Sequence, residues 1–153
     1  MDLILWRHAE AVDAAEGGDD MARPLTGRGG KQSLRMGAWL DRKLPDSTRI
    51  WVSPAQRTEQ TATALGRKFK TNPAIAPDGT VDALLKLVQW PTAKGCVLVV
   101  GHQPLLGQTI ATLLGLHANE CAIKKGSVWW LRYRARADET STVLVTVQTP
   151  ELM

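Results

Sequence analysis

Short runs of consecutive apolar residues alternate along the chain with longer segments that have helical periodicity. The runs 3–6, 50–52 and 96–100 contain no polar alternation, which is typical of strands buried on both faces of a sheet. Elsewhere, apolar residues recur every three or four positions, as on the buried face of a helix. The four predicted stripes are Met36, Trp39, Leu40 and Leu44; Thr58, Thr61, Ala62, Leu65 and Phe69; Val81, Leu84, Leu85 and Val88; and Leu105, Leu106, Ile110, Leu113 and Leu114. This alternation predicts a mainly parallel sheet with helices packed on it.

Capping and breaking residues set the ends of several predicted elements. Thr26 is a good N-cap for the first helix. Ser53 is the predicted N-cap of the second helix, with Pro54 at its first helical position. The segment 71–80 is rich in proline and glycine, so we expect a loop there with a short edge strand at 74–76.

The chain changes character at its carboxyl-terminal end. The segments 128–133 and 142–147 are rich in β-branched and aromatic residues, and the turn-prone segment 137–139 separates them. We expect these segments to form an antiparallel hairpin that closes the sheet. No repeat or linker interrupts the chain, so we predict one α/β domain over residues 1–153.

Charged side chains follow three of the predicted buried strands directly. Arg7 and His8 end the first strand, Arg57 follows the second in the first turn of a helix, and His102 follows the run 96–100. Each taken singly is as well explained by a solvated strand or helix end. Because the carboxyl ends of parallel strands share the edge where ligands bind, together they predict a convergent cationic site suited to a phosphoryl group.

Composition narrows the possible partners and compartment. The net charge of +4 and pI near 9.3 favour anionic ligands, but the basic residues are scattered, which indicates a small anionic group rather than nucleic acid. The start of the chain lacks a basic leader, and no apolar run approaches membrane-spanning length, so we expect a cytoplasmic protein. The cysteines Cys96 and Cys121 have no metal or redox spacing.

Four short motifs resemble those of the histidine phosphatase superfamily in order and spacing. They are Arg7-His8-Ala9-Glu10, Pro24-Leu25-Thr26, Ser53-Pro54-x-x-Arg57-Thr58-x-x-Thr61-Ala62 and Gly101-His102-x-Pro104. The short chain and the Arg-His-Ala start are most similar to the phosphohistidine phosphatases of the SixA type, over roughly residues 3–115. The resemblance implies a phosphoglycerate-mutase-like fold, a three-layer α/β/α sandwich with a minimal cap.

The resemblance also implies the roles of four residues. His8 would be the nucleophile that is transiently phosphorylated, and Arg7, Arg57 and His102 would bind the phosphoryl oxygens. The chemistry is consistent with these residue types, since neutral imidazole is nucleophilic and guanidinium groups bind oxyanions through paired hydrogen bonds. No cofactor and no metal ion are expected.

The general acid is less well defined by the sequence. Asp78 lies in the region that corresponds to the carboxylate of mutase-like relatives, and Glu10 and Asp13 are rivals because they lie near the nucleophile in sequence. Taken singly, each of them is better explained as a solvated loop carboxylate, and Asp78 is preferred only weakly as the acid. Arg23 either extends the anion pocket or is simply exposed.

These observations predict a metal-independent phosphatase that uses a phosphohistidine intermediate and acts on phosphohistidine in a signalling or phosphotransfer protein. A phosphohistidine can leave as neutral imidazole, so it fits a site with little cap and a poor acid. A small-molecule phosphomonoesterase and a non-catalytic phosphate-binding module are the alternatives, and a mutase is disfavoured by the short middle region. We expect a monomer that binds neither nucleic acid nor membrane.

Overall fold

The computed structural model describes residues 1–153 and contains six strands and four α-helices. The strands are β1 (Asp2–Arg7), β2 (Arg49–Val52), β3 (Lys70–Thr71), β4 (Cys96–Gly101), β5 (Val128–Arg136) and β6 (Glu139–Gln148). The helices are α1 (Gly27–Lys43), α2 (Gln56–Thr63), α3 (Val81–Val88) and α4 (Leu105–Leu114). Three short 3-10 turns lie at Asp20–Ala22, Pro73–Ile75 and Pro150–Leu152.

All six strands form one sheet in the order β3-β2-β4-β1-β5-β6. The pairs β3–β2, β2–β4 and β4–β1 are parallel, whereas β5 runs antiparallel to both β1 and β6. The predicted mainly parallel sheet and its closing hairpin are therefore both confirmed. In this order β4 lies between β2 and β1, so three parallel strands end side by side.

The two faces of the sheet are covered by different helices. Along β1, Ile4 and Trp6 pack with residues of α1 and α2, whereas Leu3 and Leu5 pack with residues of α3 and α4. All four of these side chains are fully buried, and each such burial contributes roughly 1.5–3 kcal/mol relative to an exposed side chain. The result is the three-layer α/β/α sandwich that the sequence predicts.

The start of α2 differs from the prediction. The helix begins at Gln56, its cap residue Ala55 makes no side-chain capping bond, and Ser53 lies outside the helix. Ser53 is fully buried, and its hydroxyl lies 2.7 Å from the Nε2 atom of His102. The side chain of Ser53 therefore contacts the end of β4 instead of capping α2. The helix also ends at Thr63 rather than continuing to residue 69, with Gly66 in a left-handed conformation just beyond it.

The predicted edge strand at 74–76 is wrong. Pro73–Ile75 is a 3-10 turn, started by the Asn72 side chain, which accepts a hydrogen bond from the backbone N–H of Ala74. The edge strand is the two-residue β3 immediately before it. Only these short elements lie between α2 and α3, so no helical cap is inserted there.

The loop after β1 is tied to the amino end of α1. The Thr26 hydroxyl caps α1 by accepting from the N–H of Gly29 (3.0 Å), and it donates to the Glu10 carboxylate (2.9 Å). The backbone N–H of Thr26 also donates to the carbonyl oxygen of Glu10 (3.0 Å). The predicted cap is thus confirmed, and it holds the chain two residues beyond His8.

None of the helices is both long and apolar enough to cross a bilayer.

Two neighbouring glycines of α1 provide a matched test of this joint. A Cβ on Gly29 would overlap the backbone oxygen of Glu10, whereas a Cβ on Gly30 would meet nothing within 4 Å. We expect Gly29→Ala to lower the free energy of unfolding by about 2 kcal/mol, and Gly30→Ala to raise it by about 0.5 kcal/mol because alanine favours a helix. Urea unfolding of both variants measures the difference in unfolding free energy. Equal effects would show that the backbone at Glu10 moves to accommodate the added methyl group at little cost.

Candidate active site

The ends of β1, β2 and β4 bring the four predicted site residues together. The backbone N–H of His8 donates to Gly101 O and that of Ser53 donates to Val100 O, both at 3.0 Å, so pairing continues to the last residue of each strand. The rings of His8 and His102 lie 5.3 Å apart between centroids, at an interplanar angle of 56°. The positive charges of Arg7 and Arg57 are close enough to influence the pKa of His8.

His8 is held in one neutral form. Its Nδ1 atom lies 2.8 Å from the carbonyl oxygen of Ala9, which can only accept, so the ring hydrogen is on Nδ1 and Nε2 keeps its lone pair. Burial, together with the charges of Arg57 and Arg7, lowers the pKa of His8 to about 4. The ring is only 6% exposed. Near neutral pH, Nε2 is therefore available as a nucleophile.

His102 is oriented by Ser53. The Ser53 hydroxyl accepts from the N–H of Ala55 (3.4 Å), so its own hydrogen can be donated to His102 Nε2 at 2.7 Å. The ring hydrogen is then on Nδ1, which is buried and has no partner in the protein. Burial, together with the charge of Arg57, lowers the pKa of His102 to about 3. With the Ser53 hydroxyl as donor to Nε2, neutral His102 offers its Nδ1–H as a donor.

Arg57 is fixed by an aspartate that the sequence does not single out. The Nη1 and Nη2 atoms of Arg57 donate to the carbonyl oxygen (2.8 Å) and carboxylate (3.2 Å) of Asp20. The Arg57 side chain is 4% exposed, but that of Asp20 is 53% exposed. Asp20 also accepts from Arg23 Nε at 2.9 Å. Although burial acts to raise the pKa of Asp20, the charges and hydrogen bonds of Arg57 and Arg23 lower it overall, so the carboxylate is ionised.

Arg7 is held by the chain segment that precedes β5. Its Nη1 atom donates to the carbonyl oxygen of Ile123, and its backbone N–H donates to Ser127 O at 3.0 Å. The N–H of Gly126 reaches back to the carbonyl oxygens of Arg7 (3.2 Å) and His8 (3.0 Å). This segment therefore forms one wall of the site.

Three buried nitrogen atoms of the site lack any partner in the protein: Arg7 Nε, Arg57 Nε and His102 Nδ1. Buried donors are nearly always hydrogen-bonded, so three unpaired donors from adjacent strand ends require an explanation. A phosphoryl group supplies three acceptor oxygens with spread negative charge, which matches these donors. The arrangement can bind such a group beside the free lone pair of His8.

The three carboxylates considered as general acids do not join this cluster. Asp78 is exposed and makes no side-chain hydrogen bond or ion pair, although its loop packs at Gly79 near Leu105 of α4. The carboxylate of Glu10 is engaged by Thr26 at 2.9 Å and by Arg28 at 3.8 Å. Asp13 is exposed. None of them contacts His8 or His102.

Arg23 lies at the edge of the site rather than in free solvent. Its Nε donates to Asp20 and its Nη1 donates to the carbonyl oxygen of Val12 at 3.0 Å. Its charge also lowers the pKa of His8. The role of Arg23 in an anion pocket stays a prediction, since the two hydrogen bonds that its side chain makes are to Asp20 and Val12.

Sequence reasoning did not assign site roles to Asp20, Ser53 and Thr61. The hydroxyl of Thr61 accepts from the N–H of Ala9 (3.1 Å) and donates to Arg57 O (2.7 Å), so it connects the chain after His8 to α2. Asp20 lies in a segment whose composition indicates an exposed loop, and the only signal was its spacing of three residues from Arg23.

No group of three or more His, Cys, Asp or Glu residues is arranged to hold a metal ion.

The protonation states can be tested by NMR. At about pH 6 we expect His8 and His102 to be neutral, with the hydrogen of His8 on Nδ1. Since both pKa values lie below the ordinary histidine value of 6.5, the unfolded chain binds protons that the folded one does not. Stability should therefore fall as the pH drops below 6.5 towards 4. Long-range proton–nitrogen spectra recorded against pH measure this, with His117 as the third signal. Charged rings at that pH would contradict the assignment.

Comparison with known proteins identifies the family. A model of the histidine phosphatase superfamily (branch 1) matches residues 3–79. The phosphohistidine phosphatase SixA of Escherichia coli (strain K12) is 34% identical over 122 residues, 74% of this chain and of the relative. A SixA homolog of Haemophilus influenzae is 32% identical over 130 residues, 75% of this chain and 78% of the relative.

Solved structures agree with the sequence relatives. The structure of the protein histidine phosphatase SixA complexed with tungstate superposes with a TM-score of 0.81 and 26% identity, over 99% of both chains. This superposition confirms the fold that the motif resemblance implied, and the chain belongs to the histidine phosphatase superfamily, branch 1.

Proposed function

We propose that the protein is a phosphatase that works through a phosphohistidine at His8 and removes the phosphoryl group from phosphohistidine in a protein. The observation that carries the proposal is the neutral His8 with a free Nε2, in a site where Arg7, Arg57 and His102 each leave one buried nitrogen without a partner. A nucleophile and a set of fixed donors for phosphoryl oxygens are what a two-step displacement requires.

The proposed reaction has two displacements. In the first, Nε2 of His8 attacks phosphorus, the P–N bond of the substrate breaks and a P–Nε2 bond forms. In the second, water attacks phosphorus, its proton passes to solvent or to the released ring, and the P–Nε2 bond breaks to give inorganic phosphate. Arg7, Arg57 and His102 would hold the phosphoryl oxygens throughout, because their donors are fixed before the reaction begins.

The choice of a phosphohistidine substrate is supported by the leaving group. An alkyl phosphate must release an alkoxide that needs a proton, whereas a ring-protonated phosphohistidine releases neutral imidazole. No carboxylate among Asp78, Glu10 and Asp13 contacts the two histidines, so the site is better suited to the second kind. The phosphohistidine phosphatases among the relatives support the same choice, and the tungstate in one of the solved structures, a tetrahedral oxyanion, supports a phosphoryl-binding site.

The substrate would be a signalling or phosphotransfer protein, since a site without a helical cap leaves room for a protein surface. A small-molecule phosphomonoesterase is the alternative within the same chemistry. The monomeric state, the cytoplasmic location and the absence of a cofactor remain predictions.

Activity and label transfer test the proposal together. Wild type should hydrolyse a phosphohistidine protein, and rapid quench should trap an acid-labile phosphoryl group on the enzyme. His8→Ala should lose both, because the nucleophile is gone, while His117→Ala, an exposed histidine on the loop after α4, should retain both. Turnover of an aryl phosphate alone would move the substrate to small phosphomonoesters. Phosphate binding without label or turnover would indicate a binding module.

The contact between Asp20 and Arg57 gives a second test. Asp20 holds the guanidinium, so Asp20→Ala should reduce kcat for an aryl phosphate about tenfold through misplacement of Arg57. KM should change less than kcat, because Arg7 and His102 keep their unpaired donors for the phosphoryl group. Steady-state kinetics measure both, with Asp13→Ala as a control from the same exposed loop. A raised KM at unchanged kcat would show that Asp20 does not position Arg57.

A further inference from the structure

Four basic side chains lie along one side of the site, on two separate segments. Arg28 and Lys31 are on the first turns of α1, and Lys124 and Lys125 are on the turn before β5. All four are exposed. We call this set the basic rim.

The two lysines of the rim are anchored directly to the site. The residues on either side of them hold the nucleophile strand, since Ile123 O accepts from Arg7 and the N–H of Gly126 donates to the carbonyl oxygens of Arg7 and His8. Lys124 and Lys125 therefore project from the wall of the site itself, not from a distant surface.

Gln32 joins the two halves of the rim. Its Oε1 atom accepts from the backbone N–H of Glu10 at 3.0 Å, and it lines the same surface cleft as Arg28 and Lys31. A Cβ on Gly126 would lie 3.6 Å from the Cβ of Gln32. The first turns of α1 and the lysine turn are thus in contact, and the rim is continuous.

The positive charge of the rim is mostly uncompensated. No carboxylate lies within ion-pair distance of Lys31, Lys124 or Lys125, and Arg28 is paired only at 3.8 Å with Glu10. Glu151 lines the same cleft and accepts from Gln32 Nε2 at 3.4 Å. Two carboxylates therefore face four cations, and one of the two, Glu10, is already bound by Thr26.

The opposite side of the site has the opposite sign. The exposed loop after β1 contains Asp13, Glu16, Asp19 and Asp20, and it is anchored at Arg57 on the β2 side. The lysine turn is on the β5 side, and in the sheet β4 and β1 lie between the two. The site is therefore at a boundary between a negative and a positive surface.

We propose that the basic rim is a docking surface for an acidic face of the protein that carries the phosphohistidine. This inference rests on the proposed function and specifies the partner: it presents carboxylates on one side of its phosphorylated histidine. Complementary charge of this kind raises the rate of productive encounter and fixes orientation, and salt screens it. The acidic loop opposes the reversed orientation through like-charge repulsion.

Matched peptides test the surface independently of the chemistry. Two fluorescein-labelled peptides would share a central histidine, one with glutamates on one side of it and the other with glutamines. Wild type should bind the unphosphorylated acidic peptide about tenfold more tightly at low salt, and the preference should vanish at about 0.5 M salt. The double variant Lys124→Glu/Lys125→Glu should lose the preference, and Arg134→Glu/Arg136→Glu, at the far tip of the β5–β6 hairpin, should keep it.

Turnover of the same peptides, phosphorylated with phosphoramidate, adds the functional readout. The Lys124→Glu/Lys125→Glu variant should lose about tenfold in kcat/KM on the acidic phosphopeptide, with less than twofold change on an aryl phosphate. Equal binding of both peptides by wild type, or an equal loss with Arg134→Glu/Arg136→Glu, would overturn the docking surface. A binding preference without phosphohistidine turnover would support the surface while refuting the proposed function.

Discussion

The buried pair of neutral histidines between two arginines is the constraint on which the site depends. Two positive guanidinium groups near His8 and His102 would repel a third charge, and burial removes the water that could compensate for it. The rings therefore stay uncharged near neutral pH, and in the proposed reaction a dianionic phosphoryl group would meet a neutral nucleophile and fixed donors. Asp20 holds Arg57 in place by accepting hydrogen bonds from its Nη1 and Nη2 atoms.

The sheet delivers these groups because its strand order makes three parallel strands end together. Hydrogen bonds from His8 and Ser53 to the end of β4 leave little freedom in the segments that bear the histidines. Thr61 and Thr26 then attach the chain beyond His8 to α2 and α1. Positioning is thus distributed over the framework and not left to mobile loops, as expected where reacting atoms must stay aligned.

The periodic pattern was sufficient to predict the layers, the sheet and the edge at which Arg7, His8, Arg57 and His102 meet. It could not locate Asp20, because a loop of small and acidic residues has no periodicity and its fold depends on Arg57, far away in sequence. Ser53 was misassigned because a serine before a proline satisfies the local rule for a helix cap, whereas its actual partner is His102 on a distant strand. Local rules fail where a long-range polar partner competes.

The lack of an inserted cap between α2 and α3 also affects the fate of the phosphorylated enzyme. No inserted cap would separate a phosphoryl group on His8 from solvent, so water would be the acceptor that reaches it. Mutase-type transfer requires a captured acceptor that is kept from exchanging with solvent, and these short connecting elements provide no enclosure for one. Product release also requires no lid to open, so we expect the covalent steps to limit the turnover rate.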